Sequence, residues 1–280
     1  EDFMIAANEC VATHIFYMEL PFIYRVHEYP EEEKIKEYLG FISSLGYTYT
    51  GNMKDLRPKS LQKLLEFLKD KKEYKILSSL LLRSMKKAVY QPENVGHYGL
   101  ASKCYTHFTS PIRRYPDTTV HRLLRTYLFN HDLSTETIKH VQERLPFIAE
   151  NSSARERASI DCEREVEDMK MAEYMEDHIG EVYEGMISGV TNFGMFVELD
   201  NLVEGMIRLA DLDDFYTLDE KTLTYTGERK KKKYRIGDRV VVKVIHASKE
   251  EKTIDFELIK KIEEGTSSET KEKDSDIEIL

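Results

Sequence analysis

The chain has 280 residues, of which 41% are hydrophobic and 33% are charged, a composition typical of a globular protein of roughly two domains. Its net charge of −10 excludes a uniformly basic nucleic-acid-binding protein but is compatible with a basic channel inside an acidic surface. Three dispersed cysteines without a CxxC spacing argue against a disulfide framework or a zinc site and suit a reducing cytoplasm. No apolar run reaches the roughly 20 residues of a membrane helix, and we expect neither a signal peptide nor membrane attachment.

The first 90 residues carry mainly helical periodicity. Apolar residues recur at helical spacing over 1–18, 31–45 and 76–90, and a further helix is predicted to begin with Ser60 as its cap. The first of these patterns starts at Glu1, with no initiator methionine and no capping residue before it. We therefore expect the chain to be a fragment of a longer protein.

The stretch HFTSPIRRYPDTTVHR, residues 107–122, concentrates basic, aromatic and proline residues. Ser110 followed by Pro111 is a helix-start signal, because serine can cap free N–H groups and proline needs none. A helix N-terminus attracts anions, and the forks of Arg113 and Arg114 can each hold two phosphate oxygens. The residues alone leave two interpretations open: a phosphate-binding site, or a capped surface helix with two solvated arginines.

Pro116 complicates this helix, because proline removes a backbone hydrogen bond and keeps the preceding residue out of helical geometry. We predict a tight turn over 110–115 and a main helix from Pro116 to about Asn130. Asp117 and His121 lie four residues apart on that helix and are predicted to pair.

The second half changes from helical to strand periodicity. Ser134 is predicted to cap a helix over 135–144, Pro146 to break or kink the path, and a long charged helix to follow over 147–177. Five short β-rich runs then predict a small barrel: GEVYEGMISGV, MFVEL, EGMIRL, RVVVKVIHA and TIDFEL. The last 20 residues are mainly Ser, Thr, Glu, Lys and Asp without a core-forming apolar pattern, and they predict a disordered charged tail.

Several of these stretches resemble a known family. EDFMIAA at the start, LLRSMKKAVY…GHYG and HFTSPIRRYPD resemble, in order and spacing, the RNB domain of the ribonuclease II and ribonuclease R exoribonucleases. FGMFVEL, EGMIRLADL and YRIGDRVVVKV resemble the ribosomal-protein S1 RNA-binding domain, which is an oligonucleotide-binding (OB) barrel. The combination is more similar to the ribonuclease R branch than to its shorter relatives.

The resemblance implies a multidomain α+β chain. Residues 1–177 would be the mostly helical C-terminal portion of an RNB catalytic domain, 178–260 an all-β five-stranded OB-type barrel, and 261–280 the tail. The implied activity is 3′-to-5′ hydrolysis of single-stranded, and in some members structured, RNA to nucleoside 5′-monophosphates in cytoplasmic RNA turnover. The expected partner is single-stranded RNA, and we expect a monomer.

The family's activity depends on Mg²⁺ held by aspartates in the pattern D-x(5)-D-x-D-D, which this chain lacks. Asp211, Asp213 and Asp214 imitate part of the pattern, but they follow a barrel strand and the fourth position falls on Gly205. The metal ligands are therefore expected upstream of Glu1, and the chain alone is expected to be inactive.

The resemblance also assigns residues. Arg113 matches the arginine that contacts the phosphate at the cleavage site, and Glu163 matches a glutamate facing the active site, although without the family it would be a surface charge. Candidate RNA-binding residues are Glu1 (or its neighbour Asp2), Arg114, Phe193, Phe196, Arg208 and Lys243.

For the barrel, Phe193 and Phe196 are expected on adjacent strands, where both rings can stack on bases unless one belongs to the core. Arg208 stands where the family commonly has histidine, and Tyr115 and His121 are expected to give structural support. The basic run 229–233 is either a solvated loop or a non-specific phosphate contact. Two other functions stay open: a non-catalytic RNA-binding module with an RNB remnant, and a barrel that binds protein.

Overall fold

A computed structural model describes residues 1–49, 57–71, 74–220, 222–262 and 276–277. Within these residues no helix is long and apolar enough to cross a membrane. The α-helices are α1 Asp2–Tyr17, α2 Glu32–Ser44, α3 Pro58–Leu68, α4 Tyr74–Ser84, α5 Tyr115–Leu124 and α6 Thr135–Glu176, with a π-helical turn at Arg125–Phe129 and 3₁₀ turns at Tyr98–Leu100 and Leu209–Asp211. The strands are β1 Tyr24–Val26, β2 Thr48–Tyr49, β3 Val89–Gln91, β4 Val182–Thr191, β5 Gly194–Leu199, β6 Glu204–Arg208, β7 Tyr216–Asp219, β8 Thr224–Gly227, β9 Lys233–Arg235, β10 Arg239–Ser248, β11 Thr253–Lys261 and β12 Asp276–Ile277.

The first of two compact units comprises Glu1–Glu31, Arg57–Lys59 and Arg83–Asp161. Its core joins α1, the antiparallel pair β1–β3, α5 and the first half of α6 around a cluster of apolar residues. The fully buried side chains of this cluster include Ala12, Ile15, Phe22, Val120, Tyr127 and Leu145. Their spacing on α1 is the helical periodicity that predicted this helix.

Helix α6 is continuous where the sequence predicted a break. Ser134 caps it as expected, since its Oγ accepts the N–H of Thr137 at 3.3 Å. Of the predicted break or kink at Pro146, the break is wrong, because the proline lies inside the helix. Its neighbours Leu145 and Ala149 are buried in the core, and this packing holds the helical path although the proline cannot donate a hydrogen bond.

Two further helix boundaries differ from the predictions. Ser60 does not cap α3 but is its third residue, because Pro58 occupies the helix start, where no N–H is needed. The predicted helix over 76–90 ends at Ser84, and Val89–Gln91 forms β3 instead. Pairing of this segment with β1 explains the difference, since strand pairing outweighs a local helical pattern.

The second unit comprises Glu32–Leu56, Ser60–Leu82 and Cys162–Leu280, and within its described residues a closed barrel has the strand order β10-β11-β6-β5-β4. The predicted five-stranded OB-type barrel and α+β fold are thereby confirmed. Antiparallel pairs make up the barrel except for the parallel closure between β11 and β6. Val197, Ile207 and Phe256 are among the fully buried side chains of this unit.

A smaller antiparallel sheet, β7-β8-β9, is inserted between barrel strands β6 and β10. A short parallel pair joins β12 to β2, while most of the predicted tail, 263–275 and 278–280, lies outside the described residues. The boundary assigned at residues 177 and 178 stays a prediction, since α6 contributes residues to both compact units.

Candidate nucleic-acid interface

A buried carboxylate organises the turn before α5. Asp117 has no exposed surface, and its Oδ1 accepts the backbone N–H of Ser110 at 2.7 Å and Nη2 of Arg114 at 2.8 Å. The N–H of Arg114 also donates to the carbonyl of Ser110 at 3.1 Å. These bonds tie both ends of the turn to one oxygen, so the backbone that carries Arg113 is fixed.

The predicted role of Ser110 as the helix cap is wrong. Helix α5 begins at Tyr115, one residue before the predicted start, and Arg114 occupies the capping position without a side-chain cap bond. The physical reason is that the N–H of Ser110 is itself held by Asp117, which places the serine in the turn. The predicted turn and the proline at the helix start are confirmed.

The two neighbouring arginines have different environments. The side chain of Arg114 is only 19% exposed and forms an ion pair with Asp117. Arg113 is exposed, and the described residues contain no ion-pair partner for it. Only Arg113 is therefore available to an anion from solution without breaking an internal contact.

His121 does not pair with Asp117, contrary to the prediction. Its ring stacks on Phe108 with centroids 4.4 Å apart, and its Nε2 bonds to the carbonyl of Phe108 at 2.9 Å. Asp117 instead faces the turn, where it meets two N–H donors. His121 thus holds the segment that leads into the turn.

Buried polar groups support the segment on its other side. Asn8 donates to the hydroxyl of Tyr105 at 2.9 Å and accepts the N–H of Phe108 at 3.0 Å. His107 Nδ1 bonds to the hydroxyl of Tyr90 at 2.8 Å. Burial, and then the nearby charges of Arg114 and Arg25, lower the pKa of His107 to about 3. His107 is therefore neutral near pH 7, and arginine supplies the positive charge here.

An arginine fork that the sequence did not predict completes this unit. Arg25 donates to both carboxylate oxygens of Glu156 at 2.5 and 3.1 Å, and its guanidinium lies 4.7 Å from the centroid of the Tyr90 ring. These residues are 131 positions apart, so no local pattern could have indicated the pair. The contact fixes Tyr90, which in turn holds His107.

On the barrel, β5 and β6 present a second candidate surface. Met195 and Val197 point into the core, which leaves Phe196 on the outer face, half-buried. Phe193 is 71% exposed. The prediction of adjacent strands for the two phenylalanines is wrong, because the turn between β4 and β5 is only two residues long and contains Phe193 itself.

Arg208 extends this surface. Gly194 pairs with Arg208 in register, and a Cβ at Gly194 would lie 2.2 Å from the carbonyl oxygen of Ile207, so only glycine permits this approach. Nη2 of Arg208 donates to Asp255 at 2.6 Å, and that carboxylate is nearly buried while the guanidinium stays 57% exposed. Phe196 and Asp255 also line an adjoining cavity of about 380 Å³. Asp255 was not predicted as a site residue, although the sequence places this acid between two apolar strand residues, Ile254 and Phe256.

The remaining candidates lie elsewhere. Lys243 is on the outer side of β10, a strand that is not a neighbour of β5 or β6, so it does not join their surface. Glu163 is exposed on α6 in the second unit. Glu1 is exposed and precedes α1, where its carbonyl accepts the N–H groups of Met4 and Ile5.

Two of the three aspartates that imitate a metal motif, Asp213 and Asp214, are occupied by other contacts. Asp213 pairs with Lys230 at 2.7 Å and Lys232 at 3.2 Å, and the hydrogen bond from Lys230 is the main reason that its pKa falls to about 2. Asp214 accepts backbone N–H groups. The part of the chain that the structure describes has no group of three or more histidine, cysteine or acidic side chains that could hold a metal ion. These residues therefore do not fit a magnesium site.

Two family models match the chain. The RNB domain matches residues 1–130, and the S1 RNA binding domain matches residues 176–259. The chain therefore contains an RNB segment followed by an S1 barrel.

Over most of its length the chain is also similar to proteins named ribonuclease R. Ribonuclease R 1 of Lactococcus lactis is 44% identical over 260 residues, which are 92% of this chain and 32% of the relative. Ribonuclease R of Thermotoga maritima is 44% identical over 94% of this chain and 37% of the relative. Mycoplasma genitalium RNase R in complex with ribose methylated single-stranded RNA gives a TM-score of 0.87 at 32% identity, covering 92% of this chain and 40% of that chain. The chain thus spans well under half the length of these relatives.

Proposed function

We propose that this chain is the C-terminal part of a 3′-to-5′ exoribonuclease that hydrolyses single-stranded RNA to nucleoside 5′-monophosphates. The observation that carries the proposal is the exposed Arg113 on a turn fixed by the buried Asp117. The similarity to ribonuclease R supports it, as does the single-stranded RNA bound by the Mycoplasma protein.

In this proposal Arg113 contacts the phosphate at the cleavage site. Its guanidinium can donate to two phosphate oxygens and stabilise the negative charge that develops there during hydrolysis. Arg114 acts indirectly, because its pairing with Asp117 fixes the turn. A fixed donor is worth more to a transition state than a mobile one, since it needs no reorganisation during the reaction.

The barrel surface would hold the RNA strand. Phe193 offers a largely exposed ring for base stacking, and Phe196 and Arg208 lie next to it on β5 and β6. Glu163 is assigned to the cleavage site by family resemblance. None of these groups reads a base edge specifically, which suits an enzyme that must pass every base.

The proposed reaction requires Mg²⁺, but the described residues do not fit a Mg²⁺ site and therefore do not supply its ligands. We assign them to a part of the protein that this sequence does not contain, since the relatives are much longer. The chain alone is then expected to bind single-stranded RNA and to release no nucleotides.

A chimera tests the proposal. This chain replaces the matching C-terminal region of Thermotoga maritima ribonuclease R, with the parent protein as the control. The chimera should release nucleoside monophosphates from the 3′ end of a labelled RNA, and Arg113→Ala should lower turnover by roughly 10²-fold or more. A folded chimera that binds RNA without degrading it, beside an active parent, would refute the catalytic assignment.

A second candidate function is an RNA-binding module without catalysis. It is favoured by one observation, the lack of a metal-binding group among the described residues. The two candidates separate in the chimera, because a module would not support hydrolysis even when the metal-binding region of the relative is present.

A further inference from the structure

The turn between β8 and β9 carries the most concentrated positive charge of the barrel unit. Residues 229–233 read RKKKK, five consecutive basic side chains in a chain whose net charge is −10. All five residues are exposed. The turn lies outside the β5–β6 surface, and a solvated loop would be the ordinary interpretation of such a run.

The turn, however, is held in place by Asp214. One oxygen of this carboxylate accepts the backbone N–H groups of Arg229 at 3.0 Å and Lys230 at 2.7 Å, and the other accepts the N–H of Phe215 at 2.8 Å. Gly227 makes room for it, since a Cβ there would lie 2.8 Å from the carboxylate. The backbone of the basic turn is therefore fixed before any ligand binds.

Asp213 divides the lysines into two groups. It forms ion pairs with Lys230 and Lys232, whereas Lys231 and Lys233 have no ion-pair partner among the described residues. Lys231 occupies the tip of the turn with a positive φ of 54°. Two cations are thus presented to solvent on a fixed backbone.

An exposed aromatic ring belongs to the segment that is hydrogen-bonded to the start of the basic run. Phe215 is 73% exposed, and its carbonyl accepts the N–H of Glu228 at 2.8 Å, directly before the basic run. A phenylalanine this exposed gains little from core packing. Exposed rings beside cations are the combination that proteins use to hold single strands, with bases stacked on the ring and phosphates near the cations.

Hydrogen bonds connect the β7–β8–β9 sheet to the turn between β4 and β5, which carries part of the β5–β6 surface. The hydroxyl of Tyr225 on β8 donates to the carbonyl of Thr191, at the start of the turn that holds Phe193. The N–H of Leu209 donates to the carbonyl of Phe193 at 2.8 Å, and the chain continues from there to Asp213. Hydrogen bonds and continuous chain therefore link the backbone around Phe193 to the backbone around Phe215.

We propose that the RNA-binding surface of the barrel continues from β5–β6 onto Phe215 and the basic run at the β8–β9 turn: Phe215 stacks on a base, and Lys231 and Lys233 contact phosphates of a single-stranded RNA. The inference rests on the proposed RNA binding and adds a second contact to it. Because stacking and phosphate contacts are insensitive to base identity, the added contact lengthens the bound strand without selecting a sequence.

Binding of a fluorescent poly(A) strand to the 280-residue chain, measured over a range of salt concentrations, tests the proposal. Lys231→Gln/Lys233→Gln should weaken binding and reduce the slope of log affinity against log salt by about 0.7 for each phosphate that the variant no longer neutralises. Phe215→Ala should weaken binding about fivefold or more and leave the slope unchanged, because stacking releases no counterions. Lys63→Gln/Lys139→Gln, which removes the same charge from exposed helical positions, should change neither quantity.

Asp213→Asn tests the opposite change, because it leaves Lys230 and Lys232 without their ion-pair partner. This variant should bind the RNA strand more tightly, and its log affinity should fall more steeply with log salt. The inference would be overturned if Lys231→Gln/Lys233→Gln and Phe215→Ala bound RNA with the same affinity and slope as the matched control. If Phe193→Ala still weakened binding in that case, the proposed RNA binding would stay intact. Failure of the unaltered chain to bind the strand would overturn both. Tight binding of poly-glutamate that the lysine changes abolish would assign the turn to acidic proteins instead.

Discussion

Replacing Asp117 by asparagine tests whether one buried carboxylate holds the turn that presents Arg113. The change keeps the size of the side chain and an oxygen that can accept both N–H groups, but it removes the charge. The guanidinium of Arg114, only 19% exposed, then loses its counterion. The new amide also places a donor where, among the described residues, Oδ2 has no partner.

The expected cost follows from these contacts. Hydrogen bonds to charged groups contribute about 1.5–3 kcal/mol, against about 1 kcal/mol for neutral ones, and two such bonds meet at Oδ1. An unsatisfied buried donor adds roughly 1–3 kcal/mol. Allowing for local relaxation, we expect Asp117→Asn to lower the free energy of unfolding by about 3 kcal/mol.

Urea denaturation followed by circular dichroism measures this decrease, and Asp161→Asn, an exposed carboxylate of the same unit, serves as the control. The control should stay within about 0.5 kcal/mol of the unaltered chain. Amide exchange at Ser110 should accelerate in Asp117→Asn, because its N–H bonds to the carboxylate that this change removes.

A double-mutant cycle with Arg114→Gln decides whether the charge pair causes the effect. If it does, the double variant should be less destabilised than the sum of the single changes by about 1–3 kcal/mol. A decrease below about 0.5 kcal/mol for Asp117→Asn, or strictly additive effects in the cycle, would show that the turn is held by other contacts.

Three further predictions concern single positions. Arg113→Gln should leave stability unchanged and reduce the slope of log RNA affinity against log salt concentration by about 0.7. Arg144→Gln, at another exposed arginine, should change neither quantity. Equal slopes in RNA titrations of both variants would contradict the phosphate assignment. Burial holds the pKa of His107 near 3, against 6.5 when unfolded, so the unfolded chain takes up this proton first as the pH falls. Stability should therefore decline by about 1–2 kcal/mol between about pH 6.5 and 5 in urea titrations, and His107→Gln should make the decline shallower; an equally steep decline in that variant would exclude this histidine as the cause. Gly194→Ala should destabilise the barrel by about 2–4 kcal/mol because its Cβ would overlap the carbonyl of Ile207, whereas Gly189→Ala meets only an ordinary contact 3.5 Å away; similar melting temperatures for the two would refute the steric argument.

Periodicity predicted the elements whose stability depends on one local face. Helices α1 and α2 bury residues at helical spacing, and the barrel strands alternate buried and outward residues, so the sequence indicated both. It failed where a distant partner decides the outcome. Val89–Gln91 becomes a strand because β1 lies beside it, and α6 passes Pro146 because the core holds both sides of that residue.

The candidate site residues likewise divide into those that a local pattern indicates and those that depend on a distant partner. The motif around Arg113 indicated a phosphate contact, because arginine next to a proline-started helix is a local pattern. Asp255 was not predicted, since an acid in an alternating strand reads as an outward residue. Its burial follows from the parallel closure of β11 onto β6, which no local window contains.

Charge composition overstates the number of cations that an RNA could meet. In each unit a single aspartate pairs with part of a basic run. Asp117 forms an ion pair with Arg114 but not with Arg113. Asp213 forms ion pairs with Lys230 and Lys232. The number of phosphates neutralised determines the salt dependence of binding, so the slope should reflect the unpaired cations rather than all the basic residues of both motifs. The backbone of each turn is also fixed, by Asp117 itself in the first unit and by the neighbouring Asp214 in the second, and this lowers the entropy cost when a strand binds. Carboxylates at both turns thus reduce the available charge and position the cations that stay unpaired.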